Sequence, residues 1–138
     1  MQATNLKTNH LSAPLGMDAG TLFLSWQCAG GVRQTAYEIE VTTGAGTLWT
    51  SGKVLGSGMH TETPAAVPPK TQGQWRIRLW DENDQPGAWS EAEFETGLAQ
   101  SDWQGVWVCP ETKEPDIDCT DAINAFAKPN WEQKQAAL

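Results

Sequence analysis

Apolar and polar residues alternate between Gln74 and Gly97, and this alternation predicts two strands joined by a turn. The residues from Asn83 to Gly87 include asparagine, aspartate, proline and glycine, which favour a tight turn. The alternation resumes from Trp89. Every second position of the first strand is apolar, which is typical of a strand with one face in a core: Trp75, Ile77 and Leu79.

The same period of two recurs in earlier segments, each bounded by glycine or proline. Turn signals recur at intervals of roughly 10 to 14 residues, a spacing typical of β-sandwiches rather than helices. Shorter strands are predicted around Leu48 and Trp49 and near residues 59–63, before the proline-rich stretch from Pro64 to Pro69. The predicted core positions of two longer strands are Leu22, Leu24 and Trp26, then Tyr37, Ile39 and Val41, with Glu38 and Glu40 facing water.

Charge and composition narrow the classes of partner. The chain has 138 residues and a formal net charge of −8, from nine basic and seventeen acidic side chains. Nucleic acids and anionic membranes attract clustered lysine and arginine, so neither is predicted as a partner. No apolar run approaches the roughly 20 residues of a membrane span, and the start MQATNLKTNH lacks the apolar stretch of a secretory signal, so a cytoplasmic location is predicted.

The three cysteines, Cys28, Cys109 and Cys119, are an odd number without the short paired spacing of zinc or redox motifs. Free thiols in a reducing compartment are favoured, and a bridge between Cys109 and Cys119 is the alternative.

The pattern changes after Gly97, which predicts two regions. Residues 1–98 are expected to form the sandwich, and residues 99–138 an interdomain junction followed by a partly helical or mobile tail. Residues 102–108 could begin a strand. Thr120 or Asp121 can cap a short helix, and Asn130, after Pro129, can cap a second. About thirty residues cannot form a second core alone.

Six segments along the chain form a recognisable series: PLGMD (14–18), SWQ (25–27), QTAYEIEV (34–41), LWTSGKV (48–54), WRIRLWDENDQPGAWSEAEFETG (75–97) and DWQGVWV (102–108). They occur in the order seen at the start of bacterial α-L-rhamnosidases, and the chain resembles the N-terminal fibronectin type III-like domain of that family over about residues 11–108. The resemblance implies an all-β, immunoglobulin-like sandwich of about seven antiparallel strands. It also implies further domains downstream, so that the chain looks like a fragment or truncated product of a large enzyme.

The resemblance implies that the parent hydrolyses terminal α-L-rhamnose with inversion, and that its catalytic acids lie outside this segment. An inverting glycosidase needs two carboxyl groups roughly 6.5 to 9.5 Å apart, whereas the acids here fall on predicted solvent faces and turns. No catalytic, cofactor-binding or metal-binding residue is predicted. The turn from Asp81 to Gly87 lacks the distal glutamate of a calcium loop, and His10 and His60 stand apart from other ligands.

The eight tryptophans are the one feature that suggests binding. Trp26, Trp49 and Trp75 are predicted in the core, where the Trp75 indole could donate a bond to the backbone. Strand alternation places two others, Trp80 and Trp89, on one face with Arg76 and Arg78. We favour a surface ladder of arginine and tryptophan over a sugar-stacking platform, because the arginines already occupy the rings.

Trp103 and Trp107 belong to the junction, where they are expected to pack between this domain and the next. Without that domain, the tail or a second copy of the chain is expected to cover them, and the second case gives a homodimer through junction and tail. The predicted function, which the resemblance implies, is that of a non-catalytic accessory domain of an α-L-rhamnosidase. A carbohydrate-binding module and a protein-interaction module remain the alternatives.

Overall fold

The computed structural model describes residues 1–106 and 108, and strands make up nearly all of their regular structure. Met1–Gln104 forms one compact unit. The described residues confirm the predicted all-β fold. They contain eight strands, one more than the number of about seven that was predicted. The strands are β1 (Gln2–Thr8), β2 (Phe23–Ala29), β3 (Ala36–Thr43), β4 (Gly46–Thr50), β5 (Val54–Leu55), β6 (His60–Glu62), β7 (Gln72–Trp80) and β8 (Ser90–Glu95).

The strands form two antiparallel sheets. One sheet has the order β1-β2-β6, and the other has the order β4-β3-β7-β8, with β5 also paired to β3. The long β3–β7 pairing runs from Ala36 opposite Trp80 to Thr43 opposite Gly73. The predicted hairpin is the β7–β8 pair, which extends from Gln72 opposite Glu95 to Ile77 opposite Ser90.

The core lies between the two sheets, and the predicted inward positions of β2, β3 and β7 are buried there, apart from the half-buried Tyr37. Trp49 is also half-buried and packs against this core. The Trp75 indole N–H donates to the Thr8 hydroxyl at 2.9 Å. The predicted backbone acceptor for this indole was therefore wrong, because the acceptor is a side chain on a strand that the sequence pattern did not indicate.

Strand β1 has too little alternation to be recognised in the sequence. Of its seven residues only Ala3 and Thr8 are buried. Its pairing with β2 is interrupted between Thr4 and Lys7, where Asn5 adopts a φ of 48°. The irregularity shifts the inward-facing positions out of the period of two, which is the physical reason that the segment reads as polar coil.

A glycine and an aromatic ring form a cross-strand pair at one end of β7. Gly73 lies opposite Phe94, and a Cβ added to Gly73 would be 2.2 Å from the Phe94 ring. The ring therefore occupies the space that any larger residue at position 73 would need. Phe94 is buried as a result of this packing.

At its Glu95 end, the free side of β8 is bonded by the segment from Pro14 to Met17. The Glu95 N–H donates to the Pro14 carbonyl at 2.9 Å, and the Met17 N–H donates to the Glu95 carbonyl at 3.0 Å. The Gly97 N–H then donates to the Met17 carbonyl at 2.8 Å, and Met17 pairs in parallel with Thr96.

The sandwich is followed by a 3-10 turn, Gln100–Asp102, and not by the strand predicted over residues 102–108. Residues 103–106 have no regular structure. The Asp102 side chain bonds back to Ala99, which favours a turn over an extended chain. The predicted tail helices lie outside the described residues. Within the described part, no helix is long and apolar enough to cross a membrane.

Candidate functional site

Two arginines project from the outer face of β7, away from the core, and each forms an ion pair across the sheet. Arg76 lies opposite Glu40 and Arg78 opposite Glu38 in the β3–β7 register. Arg76 Nη2 is 2.7 Å from Glu40 Oε2, and Arg78 Nη2 is 2.6 Å from Glu38 Oε2. In each pair the arginine Nε–H donates to the same oxygen. The glutamates were predicted to face water, but they are half-buried because the guanidinium groups cover them.

The same arginines also contact two indole rings. Arg76 Cζ is 4.4 Å from the centroid of the Trp89 ring, and Arg78 Cζ is 4.8 Å from that centroid. Arg78 is also 4.9 Å from the Trp80 ring. Lys53 Nζ lies 4.8 Å from the Trp80 ring. We call this set, Arg76, Trp89, Arg78, Trp80 and Lys53, the cation–aromatic ladder.

Trp80 is far more buried than a surface ladder implies. Only 7% of its area is exposed, although it points away from the core. Lys53 and Arg78 contact its ring, and the Trp80 backbone also forms a β-bridge with Pro86 in the turn. Trp89 stays half-exposed. Each cation–ring contact at an exposed site contributes about 0.5–1 kcal/mol.

The rest of this outer face is polar and bonded within itself. Gln74 Nε2–H donates to Glu91 Oε2 at 2.9 Å, and Gln72 Nε2–H donates to Glu95 Oε2 at 3.1 Å. Among the described residues, every buried side-chain nitrogen and oxygen has a hydrogen-bond partner. The Gln72 and Gln74 side chains of this face thus bond to glutamates of the neighbouring strand β8.

In the part of the chain that the structure describes, two carboxyl groups have shifted pKa values, and both shifts are opposite to that of a general acid. The N–H of Val32, with that of Arg33, donates to Glu82 and lowers the pKa of its carboxyl group. The Lys70 ammonium, with the Ala99 N–H, lowers the pKa of Asp102. A glycosidase acid needs a raised pKa in order to protonate the leaving oxygen.

Other residues considered for metal chemistry have different roles. Asp81 Oδ1 accepts the N–H groups of Asn83 and Gln85, each at 2.9 Å, and so holds the turn. His10 and His60 stack on Phe23 with ring centroids 4.8 and 5.6 Å from it. No group of three or more metal-ligating side chains occurs in the described residues.

Gln34 is a buried polar residue that the sequence pattern did not single out. Its Oε1 accepts the Trp26 indole N–H at 3.0 Å and the Cys28 thiol at 3.2 Å. Its Nε2 group donates to the Gly56 and Gly58 carbonyls. Cys28 is an exposed residue, but partial desolvation of its thiol raises the pKa of that group, which disfavours the nucleophilic thiolate.

The exit from the sandwich carries exposed apolar side chains. Trp103 is 68% exposed and Leu98 is 52% exposed. Trp107, predicted to act with Trp103, lies outside the described residues. Beside Leu98 is an open groove of about 620 Å³ lined by residues 43–45, 68, 70–72 and 95–98.

Two antiparallel sheets around one core, with a self-bonded outer face, define an immunoglobulin-like β-sandwich domain. Residues 3–100 match the family model described as "Rha78A-like, N-terminal immunoglobulin domain". The chain belongs to this family, which confirms the resemblance stated from its sequence.

The relatives of the chain are much longer proteins. It is 34% identical over 134 residues to an α-L-rhamnosidase of Streptomyces avermitilis, a match covering 86% of this chain and 13% of that protein. It superimposes on the α-L-rhamnosidase structure from Dictyoglumus thermophilum with a TM-score of 0.69 and 29% identity, covering 75% of this chain and 13% of that one. The chain thus spans about an eighth of these relatives.

A more distant likeness concerns the fold alone. The third fibronectin III domain of the human KIAA0343 protein superimposes with a TM-score of 0.50 and 14% identity, covering 76% of this chain and 88% of that one.

Proposed function

We propose that this chain serves as a non-catalytic accessory domain of an α-L-rhamnosidase, in which other domains hydrolyse terminal α-L-rhamnose with inversion. The observation that carries the proposal is the match of residues 3–100 to a family of N-terminal domains, together with the 13% of the relatives' length that the chain spans. Most of such an enzyme lies outside this domain.

The chemistry of the described residues supports a non-catalytic role. The arginines bind Glu38 and Glu40 in ion pairs, and the pKa values of Glu82 and Asp102 are lowered. An inverting mechanism needs one protonated acid and one basic carboxylate facing each other across the substrate. The carboxylates described above are held by cations, side-chain amides or backbone N–H groups.

The direct test is to assay the 138-residue chain with a nitrophenyl α-L-rhamnoside, alongside a longer protein that contains this chain. We expect hydrolysis by the longer protein and none by the chain alone. Proton NMR of the first sugar released by the longer protein should show the anomer inverted relative to the substrate. Hydrolysis by the purified chain would contradict the non-catalytic role, and release of the retained anomer would contradict the inverting mechanism.

The partners in this proposal are the downstream domains of the parent enzyme, and the contact surface is the exit end with Leu98 and Trp103. Exposed apolar side chains of this size favour association. A homodimer through this end is the competing arrangement. Sedimentation of the chain over a range of concentrations separates the two, since a dimer gains mass with concentration, and a Trp103→Ser variant should abolish that gain. The predicted cytoplasmic location stays a prediction.

A carbohydrate-binding role for Trp80 and Trp89 is the second candidate, and the half-exposed Trp89 ring is the observation in its favour. We expect no binding, because arginines already contact that ring. Titration with rhamnosides should leave tryptophan fluorescence unchanged in the native chain and in a Trp89→Leu variant. A saturable change lost only in Trp89→Leu, and kept in a Trp103→Leu control, would establish the sugar site.

A further inference from the structure

The exit of the sandwich is tied to the segment before β7 by a dense set of hydrogen bonds. The Thr96 N–H donates to the Thr71 carbonyl, and the Thr71 N–H donates to the Thr96 hydroxyl, each at 2.9 Å. The Thr96 hydroxyl in turn donates to the Pro68 carbonyl at 2.7 Å. Thr96 is almost fully buried, so these bonds are shielded from water.

The bonding continues beyond the last strand. The Lys70 N–H donates to the Gly97 carbonyl at 2.9 Å, while the Gly97 N–H donates to Met17 on its other side. Gly97 is therefore held between two segments of chain. A Cβ at this position would be 2.9 Å from the Gly16 carbonyl oxygen, which shows how closely the segments pack.

Both carboxylate oxygens of Asp102 accept hydrogen bonds at the exit. Its Oδ1 accepts from Lys70 Nζ at 2.7 Å, and its Oδ2 accepts the Ala99 N–H at 2.9 Å. The backbone N–H groups of Asp102 and Trp103 donate to the carbonyls of Ala99 and Gln100. The Asp102 side chain thus bonds both to the start of its own turn and to Lys70, immediately before the exposed Trp103.

We propose that Lys70 and Asp102 form a clamp that makes the exit a rigid joint, so that Leu98 and Trp103 are held in one orientation toward the chain that follows. The proposal deepens the proposed function, from which it takes only that a further domain follows. A joint held in this way would fix the direction in which that domain begins, whereas an unclamped exit would act as a flexible linker.

The clamp can be tested by ¹⁵N relaxation on the full 138-residue chain. We expect order parameters at Ala99, Asp102 and Trp103 near the roughly 0.85 of rigid backbone, falling below about 0.6 in Asp102→Ala and Lys70→Met. Lys70→Arg should restore the native values because the ion pair is kept. Asp84→Ala is the matched control, since it breaks the exposed Lys53–Asp84 pair, which lies 2.6 Å apart outside this exit.

A merely structural role would give a different result. If Asp102 only stabilises the fold, Asp102→Ala lowers the melting temperature and leaves the exit order parameters unchanged, which overturns the proposal. Low order at the exit of the native chain would overturn it as well. If a downstream domain in a longer protein tumbles independently of a rigid exit, the joint does not fix the direction of that domain and the proposal is overturned, while the non-catalytic role proposed for the chain is unaffected.

Discussion

The two faces of β7 bury tryptophan by different means. On the inner face Trp75 is enclosed by apolar side chains and makes one hydrogen bond, to Thr8. On the outer face Trp80 is nearly as buried, but the groups over its ring are the cations of Lys53 and Arg78. Long basic side chains cover apolar surface with their stems while their charged ends reach water or a carboxylate. Burial on the outer face therefore depends on charge, and burial on the inner face does not.

The largest expected effect is on the inner face. Trp75→Ala should lower the free energy of unfolding by about 3–5 kcal/mol, because it leaves a cavity in the core and removes the donor to Thr8. Trp89→Ala on the outer face should cost clearly less, because that ring is half-exposed. Urea unfolding of both variants measures the difference. Equal losses would show that the two faces do not differ as described.

Adding a methyl group to the inner face tests how tightly that face is packed, with a smaller expected effect. Gly73→Ala should cost about 1–3 kcal/mol, because the new methyl group would overlap the Phe94 ring. Gly44→Ala is the matched control, since a Cβ there meets no atom within 4 Å. Thermal unfolding should show a loss for Gly73→Ala alone. If Gly73→Ala melted with the native chain, the inner face would be looser than its packing indicates.

Within the cation–aromatic ladder the two arginines should differ. Arg78 contacts both rings and Glu38, whereas Arg76 contacts Trp89 and Glu40. Arg78→Met should therefore cost about 1–2 kcal/mol and Arg76→Met about half as much. Urea unfolding at low salt and at about 1 M salt tests whether these losses of stability are electrostatic, because salt screening should reduce both of them. Equal losses would show that Arg78 contributes no more than Arg76. Losses unaffected by salt would show that the contacts do not stabilise the fold through charge.

The smallest effect concerns Glu82, which lies on neither face. Its carboxylate accepts the Val32 N–H, and its pKa is lowered on folding, so its contribution is present at neutral pH and is lost as the pH falls through that lowered pKa. In a plot of melting temperature against pH, the Glu82→Gln variant should therefore lose less stability than the native chain as the pH falls. Glu62→Gln, at another exposed glutamate, serves as the control. If the melting temperature of Glu82→Gln fell with pH as steeply as that of the native chain, the bond from Val32 to Glu82 would not contribute to stability.

Periodicity predicted the inner face well because every second residue of β2, β3 and β7 obeys it. It could not predict Trp80, since the same period assigns that residue to the outside and the Lys53 side chain over it comes from another part of the chain. Thr8 was missed for a related reason, as it lies 67 residues before Trp75. Alternation reports the direction of a side chain, whereas burial also depends on partners distant in sequence.

The segment from Pro14 to Met17 has a consequence for the behaviour of the domain among its own copies. By bonding to Glu95 and Gly97 it occupies backbone groups that an edge strand would otherwise offer to another sheet. At that end of β8, pairing with the edge of another copy is therefore disfavoured. We expect a chain with this segment shortened to aggregate edge to edge before its fold changes, which light scattering beside circular dichroism would show.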